Sequence, residues 1–264
     1  MMRRIVLGLG AMLLLAACAA PEFRLAPRFV SGEAREYRLI SDATVTISAA
    51  DQTSTENTRL VARTRLVVES LSGGRATLTM TITPERLTRD GTAVERPAEQ
   101  RIRIEVARDG EIDSLTPIEG TGELDVAQIE DLVPLIGPPL PDGRVHLSDR
   151  WTRSLAGAPG VPLGVQNARL AALRVVDGYD CGIVALSTRR PVLRENALAG
   201  TTVRLEGVEY ASGEIAFAFR EGFPVTIRSN GEARLAISEG PAAGGGVVIR
   251  STTALTLVRR SVPA

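Results

Sequence analysis

The sequence predicts an all-β protein: one large, curved antiparallel sheet, a half-open barrel or a sandwich that reads as two pseudo-repeated halves, with one short helix. Three observations carry this prediction. Apolar and polar residues alternate with period two in long runs, turn dipeptides separate those runs, and a single stretch has helical spacing. A hydrophobic content of 44% is enough to bury a sizeable core and excludes a disordered chain.

The strands are legible one by one. "ATVTISA" puts Val45 and Ile47 on one face against Thr44, Thr46 and Ser48. "ATLTMTIT" sets Leu78, Met80 and Ile82 against Thr77, Thr79, Thr81 and Thr83, and "RIRIEVA" sets Ile102, Ile104 and Val106 against Arg101, Arg103 and Glu105. Such alternation marks antiparallel strands with one buried and one solvated face. Further on, Ile215, Phe217 and Phe219 alternate with alanines, and "VVIRSTTALTLVRR" closes the chain. Gly73-Gly74, Asp90-Gly91, Asp109-Gly110, Asp177-Gly178 and Asn230-Gly231 offer the positive φ angles that tight hairpins need. "VARDGEIDSLTP" (106–117) and "AFREGFPVTIRS" (218–229) share a turn pattern, a hint of duplication between halves at 33–122 and 150–264.

Between those halves, 123–149 reads as a connector. Asp125 caps a helix with Gln128 in capping-box position, and Ile129, Leu132, Val133 and Ile136 form one apolar stripe. Pro134 cuts that helix short. Pro138, Pro139 and Pro141 then stiffen the exit, and Val145 and Leu147 are expected to point inward while His146 and Ser148 face water. Trp151 is expected to be buried.

The N-terminus is the most specific signal. Met1-Met2-Arg3-Arg4 precedes an apolar run, Ile5 to Leu14, too short to span a bilayer. "LAAC" (15–18) resembles a bacterial lipobox. That resemblance implies a signal peptide at 1–17, cleavage after Ala17 and a lipid on Cys18, with a tether at 18–32 and a β domain at 33–264. Ala19 and Ala20, with no aspartate, resemble a sorting signal for the periplasmic face of the outer membrane. The expected partners are therefore the membrane, through the lipid, and either an envelope protein or a lipid. Losing 1–17 removes Arg3 and Arg4, leaving 29 arginines against 31 acidic residues and a net charge of −2. With no basic excess, nucleic acid is not an expected partner.

Chemistry is hard to find. His146 is the only histidine, and with Cys181 it exhausts the supply for a Cys/His metal site. No phosphate loop is present, since "GPAAGGG" (240–246) lacks a lysine and a following helix. The chain is read as a non-enzyme with no cofactor and no metal. Cys181, at the start of a strand, is expected to be a small buried hydrophobe. The apolar loop "LAGAPGVPLGV" (155–165), with Val161 and Leu163, and Trp151 are the candidate contacts for a partner or ligand.

Two resemblances add to this reading. "PPLPDGRVHLSDRW" is similar to a P-P-L-P-x-x-x-V-x-x-G-D-x-W segment of uncharacterised secreted or lipid-anchored bacterial β-repeat proteins. Pro139, Leu140, Pro141, Val145, Asp149 and Trp151 fit, while Ser148 stands where a glycine is usual. The general plan, a lipid anchor on a sheet with one apolar face, resembles lipoproteins of the LolA/LolB and LprG/LppX type. It implies a half-barrel that holds acyl chains. The leading expectation is a structural or partner-binding scaffold, and the alternative is a carrier of lipid or another apolar ligand. A packed interior favours the first, and a lined void the second.

Overall fold

Alternating sequences build very long strands. The computed structural model describes residues 21–49, 52–95, 98–107, 110–118, 138–155, 163–198, 201–239 and 243–263. Its elements are β1 (Phe23–Arg24), β2 (Ala34–Ala49), β3 (Gln52–Ser72), β4 (Arg75–Arg89), β5 (Thr92–Ala93), β6 (Gln100–Ala107) and β7 (Ile112–Pro117). They continue with β8 (Arg144–Val145), β9 (Arg150–Leu155), β10 (Gly164–Val176), β11 (Tyr179–Leu198), β12 (Thr201–Ala218), β13 (Phe223–Glu239) and β14 (Gly246–Ser261). At 21 residues, β3 runs roughly 70 Å.

One antiparallel sheet runs β7-β6-β4-β3-β2-β14-β13-β12-β11-β10-β9, with β5 on β4. It is two meanders stepping outward in opposite directions from a seam where β2 meets β14. At that seam Leu39 pairs with Leu255 and Val45 with Ile249. Among the described residues the sheet does not close, and β7 and β9 are its two edges. The expected helix lies outside the described residues.

Burial follows the predicted faces closely. Leu78, Met80, Ile82, Ile102, Ile104 and Val106 are buried, and the arginines between the β6 residues are exposed. From the other wing, Leu170, Val184, Ile215 and Phe217 join the same core. Two wings can share one core only if the sheet curls, so this is its concave face. A second cluster, with Cys181, Ile183, Ala218, Phe223 and Val225, covers the opposite face at the same end. Toward the far end, Leu235, Ile237 and Val247 form a third cluster, against which Val45 and Ile47 pack.

Two expectations change. Asn230-Gly231 is not a hairpin turn but lies inside β13, where Gly231 pairs with Ala211 on one side and Ser251 on the other. Gly231 stands in the second of two inward rows of small residues, Ser41–Thr253–Ser229–Gly213 and Ala43–Ser251–Gly231–Ala211. There the glycine supplies a low floor rather than a bend.

The second change concerns the tether. Residues 21–32 do not trail away as a spacer. They cross the end of the sheet as a strap, with Leu25 wholly buried in the main core. The physical reason is an unfilled apolar face, which the strap's Phe23, Leu25 and Phe29 cover.

A buried ion network pins the strap. Glu33 accepts hydrogen bonds from Arg35 Nε at 2.9 Å and Nη2 at 3.1 Å, and from Arg260 Nε at 2.7 Å. Arg35 Nη2 also donates to the Arg28 carbonyl at 2.8 Å. Both guanidiniums lie over the Phe223 ring, at 4.6 and 5.0 Å from its centre. Burial alone would raise the Glu33 pKa, but the hydrogen bonds and charges of Arg35 and Arg260 outweigh it and hold the carboxyl below its usual value. A depressed carboxyl stabilises the fold above its unfolded pKa, and that contribution fades as pH falls through the folded value. Glu33→Gln leaves Arg35 buried without its counter-charge and should cost about 3–5 kcal/mol in urea unfolding at pH 7. The wild type should lose this advantage below about pH 4.5, so the two unfolding curves converge in acid. A constant gap from pH 7 to 3 would show that Glu33 does not carry the pin.

Candidate functional site

The strap end of the sheet is where three distant segments meet. Pro21 and Pro27 restrict the strap's backbone, and β1 pairs with β8, Phe23 opposite Val145. The Phe23 ring meets Phe219 edge to face at 5.4 Å. Two glycines admit the strap. A Cβ on Gly182 would sit 3.2 Å from the Leu25 side chain, and one on Gly222 (φ +78°) would sit 2.5 Å from the Arg28 backbone nitrogen. Arg28 donates its N–H to the Gly222 carbonyl at 3.0 Å, and the Gly32 N–H bonds the Val68 carbonyl at 2.7 Å.

Beneath this strap lies a cavity of about 940 Å³. Leu25, Phe29, Val30, Leu71 and Ala76 give it apolar walls, and the 141–143 turn closes one side. Leu25 and Ala76 are buried at its deep end. Arg24, Arg28, Arg75 and Asp142 line its solvent side, where all four are exposed. Among the described residues, no cluster of three or more histidine, cysteine or acidic side chains is placed to hold a metal ion.

The proline segment 138–151 contributes its Pro141–Gly143 turn to one side of the site. Trp151 donates its indole N–H to the Pro139 carbonyl at 2.8 Å, locking the prolines to the sheet edge. It is half-buried against the main core rather than fully enclosed, because β9 is an edge strand. Val145 is buried as expected, but Leu147 is 51% exposed. The reason is a turn: the Asp149 carboxylate accepts the His146 N–H at 2.7 Å, and Asp149 N–H returns to the His146 carbonyl at 3.1 Å. That turn ends β8 after Val145. Ser148 adopts φ +77° within it, the left-handed geometry that glycine adopts without strain.

The other sequence candidates do not converge on the cavity. Leu163 is exposed just before β10, and Trp151 is not among the lining residues. Val161 and Cys18 lie outside the described residues. His146 is half-exposed between Glu22 (3.8 Å) and Asp149 (3.4 Å). Cys181 is buried and free, and burial pushes its thiol pKa up to about 11. That is the inert cysteine expected from the sequence. The cavity residues themselves were missed, since they come from a presumed tether, a hairpin turn and a proline turn.

No protein-family model matches this chain, and no curated protein sequence does. Among solved structures, the chain is similar to one of lipovitellin, described as concerning its lipid–protein interactions. The TM-score is 0.51 at 15% identity, over 90% of this chain and 26% of that one. The likeness is one of fold. This chain spans about a quarter of the lipovitellin chain. Two bacterial structures align along most of the chain but superpose poorly, and nothing rests on them. One is an exported protein of Bacteroides fragilis with a YmcC-like fold (TM-score 0.22, 10% identity, 92% of this chain and all of that one). The other is the hypothetical lipoprotein YmcC of Escherichia coli (TM-score 0.14, 11% identity, 81% and 86%).

The turn geometry sets two stability predictions. Ser148→Gly should raise stability by about 0.5–1 kcal/mol by relieving the left-handed strain, net of glycine's entropy. Trp151→Phe should lower it by about 1 kcal/mol through the lost hydrogen bond. Urea midpoints measure both, and a destabilised Ser148→Gly would refute the turn reading.

Proposed function

We propose that this chain is a non-catalytic, lipid-anchored protein of the bacterial cell envelope, at the periplasmic face of the outer membrane, that holds an apolar ligand under its strap. The observation that carries the reading is the cavity. Its volume lies at the upper end of the range for small-molecule sites, and it combines apolar walls with a few polar groups on one side. Its placement adds support, because the segment that walls it follows directly on the lipobox ending in Cys18. The site would then stand next to the membrane surface. Lipovitellin, with a similar sheet, is described in terms of lipid–protein interactions, which makes a lipid the ligand class to test first.

The second reading is a scaffold for an envelope protein. It is favoured by the two sheet edges, β7 and β9, each paired on one side only in the sheet path.

Native mass spectrometry of the full-length protein ejected from mild detergent micelles decides between them. The ligand reading expects a co-purified lipid on the wild type and its loss in Ala26→Trp, which fills the cavity, while circular dichroism shows the sheet intact. A wild type that carries no lipid and displaces no fluorescent fatty-acid probe would sink the ligand reading and leave the scaffold.

A further inference from the structure

We propose that the cavity selects amphiphiles with an anionic head, the tail lying against Leu25, Phe29 and Ala76 and the head held by Arg24 and Arg28 of the strap with Arg75 opposite. This inference rests on the ligand reading above and narrows it to a chemical class.

Charge at the cavity is lopsided. Three guanidiniums line its solvent side against one carboxylate, Asp142. Several arginines elsewhere in the sheet are answered in place: Arg63 by Glu85, Arg89 by Glu56, and both Arg234 and Arg250 by Glu232. The strap's neighbours are also engaged, Arg35 and Arg260 with Glu33 and Arg144 with Glu22. Arg75 meets Asp113 through Nε at 3.0 Å. Among the described residues, no carboxylate is within ion-pair distance of Arg24 or Arg28.

The burial gradient orients the ligand. Leu25 and Ala76 close the deep end, where a charged head would be desolvated without a partner. The arginines stand at the wet end, where a planar guanidinium can grip a carboxylate or phosphate with two parallel hydrogen bonds. An uncharged chain would fill the same walls and leave those donors to water. A carboxylate or phosphate head is thus what the site distinguishes, whether it arrives on a single amphiphile or on a bilayer lipid.

The test compares palmitate, hexadecyl phosphate and hexadecanol, three probes with one tail and different heads, on the full-length protein in neutral detergent micelles. Occupancy of the bound adduct is read by native mass spectrometry. The two anions should exceed the alcohol by about tenfold, the scale of one charge-assisted hydrogen bond. In Arg24→Gln/Arg28→Gln that ratio should fall to about one, with the thermal midpoint of the variant unchanged. Equal binding of all three probes to the wild type would overturn head selection while leaving the apolar-ligand reading intact. Absence of binding by every probe would overturn both. A second arm uses nanodiscs containing phosphatidylglycerol. If the double variant changes association only there, and not the palmitate-to-alcohol ratio in micelles, the arginines serve the bilayer surface and the proposal fails.

Discussion

An open sheet with one apolar face must cover that face with something other than its own closure. Here the curl brings β4 and β6 toward β10, β11 and β12, and a gap is left along the middle of one end. The strap fills it. Leu25 sits in the main core, with Phe23 and Phe29 packed against it, and each such side chain contributes on the order of 1.5–3 kcal/mol when fully buried. Burying the strap also carries its backbone polar groups out of water, and these are met by Gly222, Val68 and Arg35. The Glu33 network then ties the start of β2 to the end of β14, the two strands that join the meanders.

The same packing creates the cavity. A single strap crossing a wide curved sheet cannot fill every corner beneath it. The space left faces the β3–β4 turn on one side and the Pro141–Gly143 turn on the other. Function and stability are therefore coupled. Whatever shifts the strap changes the cavity, and a ligand that binds under the strap stabilises its closed position. The buried main core lies beside this space, and Leu25 and Ala76 belong to both.

How much of this was legible in the sequence depends on how local the cause is. The faces of β4 and β6 could be read residue by residue, because alternation is a property of consecutive positions. Hairpin turns at Asp90-Gly91 and Asp177-Gly178 were equally plain, and both show the positive φ angles they advertise. Asn230-Gly231 misled because the dipeptide is shared by turns and by mid-strand positions that need a small residue. Leu147 misled because a side chain three residues from His146, that of Asp149, ended the strand. The strap was hidden for a different reason. Its two-residue strand pairs with Arg144 and Val145, far away in sequence, and its alternation of Phe23 with Leu25 is too brief to stand out beside two prolines. The site was hidden with it, since no contiguous motif spans its three segments.

The central claim is that the strap is a structural wedge rather than a tether. Amide hydrogen exchange on the full-length protein tests it most directly. The amides of Arg28 and Gly32, which bond the carbonyls of Gly222 and Val68, should exchange as slowly as those in the neighbouring sheet strands. Exchange of both amides at open-chain rates, with the sheet still protected, would contradict the wedge and remove the wall of the cavity with it.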